Sequence, residues 1–236
     1  MSKHAGAYVL PADGEALLGF YRQMYDVTRG AVTPLVGQLL ADAGYDAMYS
    51  LQPKPTHRPP AWDDVLVYQY PTLRLAKPAL LDFGAAGKGY LVDNIAALLD
   101  EQGVVQYCVD AGGDMRCRGL RPQQVGLEDP EDAGKAIGVV RLQNRSMCGS
   151  AGNRRQWADY HHIIDPYTMQ SPQHIAAVWA VADTALLADG MTTCLFFTEP
   201  DILQQHFSFE YVIMYTDRTV HLSAGFPGEL FTVRKD

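Results

Sequence analysis

The side chains best suited to chemistry fall in four short segments of this 236-residue chain. Asp189 and Thr193 stand at i and i+4 in an apolar helical pattern, so they share one helix face. A carboxylate and a hydroxyl are hard oxygen donors, suited to magnesium with waters and substrate phosphates completing the shell. Two such donors do not make a cage, and the spacing is common by chance. A second segment runs Asp82-Phe-Gly-Ala-Ala-Gly-Lys88-Gly-Tyr-Leu-Val-Asp93. Its small residues let backbone amides approach a ligand, and the start of the following helix favours anions. Asp82 can accept bonds from a base or ribose, and Lys88 can meet a phosphate or an acidic partner. Gly84, Gly87 and Gly89 lack the GxGxxG spacing of a dinucleotide fingerprint. Alone, the segment reads first as a turn feeding a helix.

The third segment, Asp110-Ala-Gly-Gly-Asp114, ends an apolar strand. Gly112 and Gly113 allow a sharp bend or an amide nest around a phosphate, with Asp114 helping to hold the bend; a plain turn explains the segment at least as well. The fourth is His161-His162-Ile163-Ile164-Asp165-Pro-Tyr-Thr168. Adjacent histidines on a strand point to opposite faces and do not chelate one ion together. His162 and Asp165 can bond across the start of the turn, or His162 can simply satisfy buried loop carbonyls.

These residues need a scaffold, and the periodicity supplies one. Asp13 caps a first helix whose Leu17, Leu18, Tyr21, Met24 and Tyr25 form one apolar stripe, broken by Gly30. Thr33 caps a second helix with Pro34 at its first position, running to Gly44. Pro53–Pro60 reads as an exposed loop. Strands are expected at Val65–Tyr68, Leu73–Leu75, Leu80–Phe83, Val104–Val109, within Ile137–Cys148 and at Ala176–Val181, with a hairpin at Val212–Tyr215 and Val220–Leu222. Helices are expected from Lys88 to Leu99 and from Thr184 to Phe197, the latter capped by Asp183. The mixture implies an α+β fold, mixed or antiparallel sheets packed with helices, in a single domain over 1–236; strand order is not readable.

Composition narrows the function classes. With 27 acidic and 19 basic side chains the formal net charge is −8. No basic run offsets it, which argues against nucleic acid as a partner. No apolar stretch is long and clean enough to span a bilayer, and Met1–Val9 lacks a signal-peptide core, so a cytoplasmic location is expected. Cys108, Cys117, Cys148 and Cys194 show no CxxC pair and read as buried free thiols rather than a zinc site.

Taken together, LDFGAAGKGYLVD ending at Asp93, DAGGD (Asp110–Asp114), GLEDP (Gly126–Pro130), HIIDPYT (His162–Thr168) and ADGMTT ending at Thr193 resemble the FAD:protein FMN transferase (ApbE) family in order and spacing. The resemblance runs from the first helix over nearly the whole chain. It implies an ApbE-like α+β fold, binding of FAD and Mg2+, and transfer of FMN to a threonine or serine hydroxyl of an acceptor protein with release of AMP. Asp82, Lys88, Gly112, Gly113, His162 and Ile163 fall at flavin-dinucleotide positions. Ala31, Val32 and Thr33, with Gly30 before them, form the turn near the flavin, Gly-Ala-Val-Thr where the family usually has Gly-Ala-Phe-Asp. Asp189 and Thr193, with the backbone oxygen of Ala85, match magnesium ligands; Thr192 lies at an adjoining position, and Asp189 is the candidate for activating the hydroxyl. Ser150-Ala151-Gly152 replaces the usual Thr-Ser-Gly, and Met169 stands where a glycine is expected. The family normally carries a further N-terminal stretch that packs on flavin and adenine. A noncatalytic FAD- or nucleotide-binding protein of the same fold is the alternative, and a homodimer is open.

Overall fold

The computed structural model describes residues 4–231; residues 1–3 and 232–236 of the expected unit lie outside the described residues. Helix α1 (Gly14–Val27) buries Leu18, Phe20, Tyr21 and Met24, one stripe at helical spacing. Asp13 occupies its N-cap position but makes no side-chain cap bond. Thr33 does cap: its side chain accepts from the amide of Leu35, and Pro34 opens a 3-10 turn, Pro34–Val36, that passes into α2 (Gly37–Asp42). Short α3 (Trp62–Val65) leads into a small sheet of β1 (Gly6–Val9), β2 (Leu66–Gln69) and β3 (Thr72–Leu75), ordered β1-β3-β2.

Helix α4 (Gly87–Glu101) follows the glycine-rich turn. The strands after it are β4 (Tyr107–Asp110), β5 (Met115–Arg118), β6 (Gln123–Asp129), β7 (Asp132–Leu142) and β8 (Arg145–Ala151). Then come β9 (Gln156–Trp157), β10 (Tyr160–His161) and β11 (Ile175–Ala182), helices α5 (Ala185–Cys194) and α6 (Pro200–Gln204), and β12 (Glu210–Tyr215), β13 (Val220–Leu222) and β14 (Gly228–Leu230). Among the described residues a six-stranded sheet runs β13-β12-β11-β8-β5-β4, antiparallel at every pairing. A second, antiparallel sheet runs β14-β7-β6.

The central strand β11 shows why the layers stack as they do. Its Val178, Ala180 and Ala182 face the core shared with α1 and α5, whereas Ala177, Trp179 and Val181 face the core shared with the β14-β7-β6 sheet. A strand buried on both faces is apolar at every position rather than alternating. The architecture is mixed α/β with antiparallel sheets and helices. No helix among the described residues is long and apolar enough to cross a membrane.

Three further sequence expectations change. Leu80–Phe83 is not a strand; the Asp82 amide instead donates to the Pro34 carbonyl at 2.8 Å, joining this segment to the Thr33 turn. The cap of α5 is Thr184, whose side chain accepts from the Leu187 amide, rather than Asp183. Cys148 and Cys194 are buried and free as expected, but Cys108 and Cys117 form a disulfide. The reason is register: β4 and β5 pair Cys108 directly opposite Cys117, which spacing along the chain does not reveal. Alkylation of denatured, unreduced protein should therefore label Cys148 and Cys194 and spare the other two, as peptide mass spectrometry would show; labelling of all four would contradict the bond.

Candidate functional site

The glycine-rich turn, the Thr33 turn, the β4–β5 turn, the loop after β10 and helix α5 converge on one cavity of about 480 Å³. That size suits a small-molecule or cofactor site. Its wall includes Ala31, Val32 and Thr33 from the turn before α2, Asp82, Ala85 and Lys88 at the start of α4, and Gly112 and Gly113 between β4 and β5. His162 and Ile163 come from the loop after β10, and Asp189 and Thr193 from α5. The structure thus brings together segments separated by more than a hundred residues in sequence.

Thr192 does not join them. It is fully buried, its hydroxyl donating to the Asp189 carbonyl at 2.7 Å and meeting the Ser150 hydroxyl at 2.8 Å. One residue along a helix turns the side chain by roughly 100°, so Thr193 faces the cavity and Thr192 faces β8.

Asp189 is placed by close contact between α4 and α5. Gly89 lies so near α5 that an added Cβ would stand 2.1 Å from the Ala185 carbonyl oxygen. The same approach lets the Gly89 amide donate to the Asp189 carboxylate at 2.8 Å. Asp93, one turn further along α4, accepts from the first amides of α5, Ala185 at 3.0 Å and Leu186 at 2.8 Å, and ion-pairs with Arg116 at 2.6 Å. It covers helix-end donors that would otherwise be unsatisfied. Asp93→Ala should cost about 2 kcal/mol, the upper end for a lost cap, measured by denaturant unfolding; an unchanged midpoint would contradict this role.

Electrostatically the site is unusual. Burial lifts the Asp189 carboxyl to about 6, against the opposing pull of Lys88 and of the Gly89 and Lys88 amides. Burial, with the charges of Arg155 and Lys88 and the neighbouring His161, holds the His162 imidazole down at about 4, so it is neutral near pH 7. Its Nδ1 is buried without a hydrogen-bond partner. The His161 Nε2 meets the Pro172 carbonyl at 2.8 Å, and its ring lies edge-on to that of His162 with centroids 6.3 Å apart. His162 lies just past β10, which ends at His161, so strand alternation does not govern the pair.

Asp82 accepts from the Gly84 amide at 2.8 Å, which shapes the turn at the cavity wall. Asp165 does not reach His162 in a bonded pair; its carboxylate accepts from the Tyr167 amide at 2.7 Å and orders the turn. Met169 closes that turn at φ 58°, the left-handed conformation that glycine adopts without strain.

Tyr21, Tyr45 and Arg155 were not marked as site residues by the sequence. Tyr21, in the buried stripe of α1, presents its hydroxyl to the Ala85 amide at 3.1 Å beneath the cavity. Arg155 and Tyr45 line the cavity and bond to each other at 3.0 Å, with the Tyr45 ring stacked on Trp157. Gly126, Glu128 and Pro130, from the GLEDP motif, also line it. A polar tip on an apolar stripe was the one clue to Tyr21.

Three oxygens meet the chemistry of a hard cation: the Asp189 carboxylate, the Thr193 hydroxyl and the Ala85 carbonyl, the last two 3.5 Å apart. Among the described residues no group of three or more His, Cys, Asp or Glu could hold a metal alone. The set therefore fits an ion that keeps water or phosphate ligands, as magnesium does, rather than one needing a full protein cage.

The chain matches the sequence profile of the ApbE family over residues 3–211. The FAD:protein FMN transferase of Klebsiella pneumoniae (strain 342) is 31% identical over 135 residues, 53% of this chain and 39% of the relative. The protein of the same name from Haemophilus influenzae is 27% identical over 234 residues, 88% of this chain and 68% of its own length. The match thus spans well under half of the Klebsiella relative. In structure, the chain is similar to the ApbE protein of Thermotoga maritima MSB8, with a TM-score of 0.82, 20% identity, and coverage of 95% of this chain and 81% of that one. That likeness establishes the fold, and the profile match over residues 3–211 shows that this chain belongs to the ApbE family.

Proposed function

We propose that this chain, acting as a single ApbE-like domain, binds FAD and with Mg2+ transfers FMN to a threonine or serine hydroxyl of an acceptor protein. The carrying observation is the convergence of Asp82, Lys88, His162, Asp189 and Thr193 on one cavity, with a buried carboxylate whose proton affinity burial has raised. Such a carboxylate gains most from a cation, which offsets its lost solvation. The shared name of the curated relatives supports the same substrate pair.

In the transfer, the acceptor hydroxyl oxygen bonds to the FMN phosphorus as the anhydride bond to AMP breaks. AMP leaves with the electron pair. Mg2+ held by Asp189, Thr193 and the Ala85 carbonyl would neutralise pyrophosphate charge during that change. Lys88 adds a positive charge at the same wall. The hydroxyl proton passes to a base at the cavity wall, for which Asp189 is the candidate. Val32 and Ile163 add apolar surface to the wall beside these groups.

The acidic surface supports a protein rather than a nucleic-acid partner. A homodimer and a cytoplasmic location belong to the same proposal; against the latter stands the Cys108–Cys117 disulfide, a bond that persists in oxidising compartments. The deciding assay mixes the protein with FAD, MgCl2 and a verified flavin-acceptor protein, then weighs the acceptor intact. The expected result is covalent FMN on the acceptor and an equal yield of AMP, both lost with a chelator. Tight FAD binding without transfer would establish the noncatalytic binder instead.

A further inference from the structure

Asp114 is fully buried, and among the described residues the one side-chain partner of its carboxylate is the Lys88 ammonium. The bend that carries Asp114 does not need this carboxylate. Asp110 holds it by accepting from the Gly113 amide at 2.8 Å, and the Ala111 amide donates to the Asp114 main-chain carbonyl at 2.9 Å. A buried charge with a single partner is poor value for stability, since an apolar pair of similar volume often does as well. Lys88 differs from Asp114 in reaching the ligand space: its side chain is 42% exposed and lines the cavity, which Asp114 does not.

We infer that Asp114 is a positioning residue, anchoring the Lys88 ammonium at the cavity wall so that it meets an anionic phosphate of the bound dinucleotide. A lysine has a flexible four-carbon stem and three rotatable donors, so an unanchored ammonium samples many placements. Asp82 and Asp189 share the cavity with it and would compete for it once it was released. Anchoring it in advance removes that ordering cost from ligand binding. The Cys108–Cys117 bond ties β4 to β5 within the hairpin that carries Asp114. This role rests on the FAD-binding reading above.

The test uses the full chain as wild type, Asp114→Asn, Lys88→Met and the double variant, with the FAD Kd read from quenching of flavin fluorescence without acceptor. Asp114→Asn is expected to raise Kd about tenfold in the wild-type background and to change nothing once Lys88 is Met. In the ligand-free protein, acetic anhydride should modify Lys88 several-fold faster in Asp114→Asn, as mapped by peptide mass spectrometry. Equal weakening by Asp114→Asn in both backgrounds would overturn the proposal. So would an unchanged Kd with a lowered Tm, which marks a purely structural ion pair. If Asp114→Asn alone does not fold, the double variant, which leaves no lone buried charge, is compared with Lys88→Met; equal Kd supports the anchoring role and a weaker Kd overturns it. Should wild type bind no FAD, the functional reading fails, and the Lys88 labelling rates still decide whether Asp114 anchors that ammonium.

Discussion

Asp189→Asn is expected to reduce flavin transfer at least about a thousandfold, a loss of about 4 kcal/mol in the transition state, while stabilising the ligand-free protein above pH 6. The loss follows from removing the one charged group among the three oxygens that suit a cation. The gain follows from the same burial. The carboxyl sits at about 6 in the folded chain against an ordinary value of 3.8. A raised acid binds its proton more tightly when folded, so stability falls as pH rises from about 4 to about 6 and stays lowered beyond. The difference corresponds to about 3 kcal/mol. Asparagine keeps an acceptor for the Gly89 amide and carries no charge, so it escapes that penalty. Thermal unfolding at pH 5 and pH 8, with and without Mg2+, checks both halves. Wild type should gain from Mg2+ at pH 8 and little at pH 5, whereas the variant should gain at neither. A variant that melts below wild type at pH 8 without metal would contradict the assignment.

Gly89→Ala should destabilise the fold by about 3 kcal/mol and weaken FAD binding with it. Its Cβ would stand 2.1 Å from the Ala185 carbonyl oxygen, 2.5 Å from the carbonyl carbon and 2.7 Å from Asp189 Cβ. All three belong to α5, two to the Ala185 carbonyl and one to the Asp189 Cβ, so the clash cannot be relieved by swinging a flexible side chain. The helices must part, and parting them lengthens the bond from the Gly89 amide to Asp189. Overpacking of this kind reaches the upper end of its usual cost when backbone has to move. Gly87→Ala is the matched control, because its Cβ would meet only Phe83 Cβ at 3.7 Å, an ordinary contact. Denaturant midpoints of the two variants decide the matter; equal midpoints would refute the close-packing account.

Much of this was legible from residue patterns. The stripe of α1, the glycine-rich entry to α4 and the apolar run of β11 each express a local rule, periodicity or chain flexibility, that survives in the folded chain. The candidate site positions stood out only jointly, since Asp189 and Thr193 alone are two ordinary oxygens on a helix. What escaped was set by tertiary contact. Leu80–Phe83 has strand composition, but its Asp82 amide is taken by Pro34 rather than by a ladder. Cys108 and Cys117 meet through strand register, and Asp93 caps a helix 92 residues away. Asp114 looked like a turn residue because its partner, Lys88, lies on another element.

The central claim is that Asp189, Thr193 and the Ala85 carbonyl hold a divalent cation against a bound FAD. Crystals grown with FAD and Mn2+, which shares magnesium's preference for octahedral oxygen ligands, test it by anomalous diffraction. The account predicts a manganese peak bonded to those three oxygens and to the FAD pyrophosphate. FAD seated in the cavity with no manganese between Asp189 and Thr193, or manganese bound at another place, would contradict it.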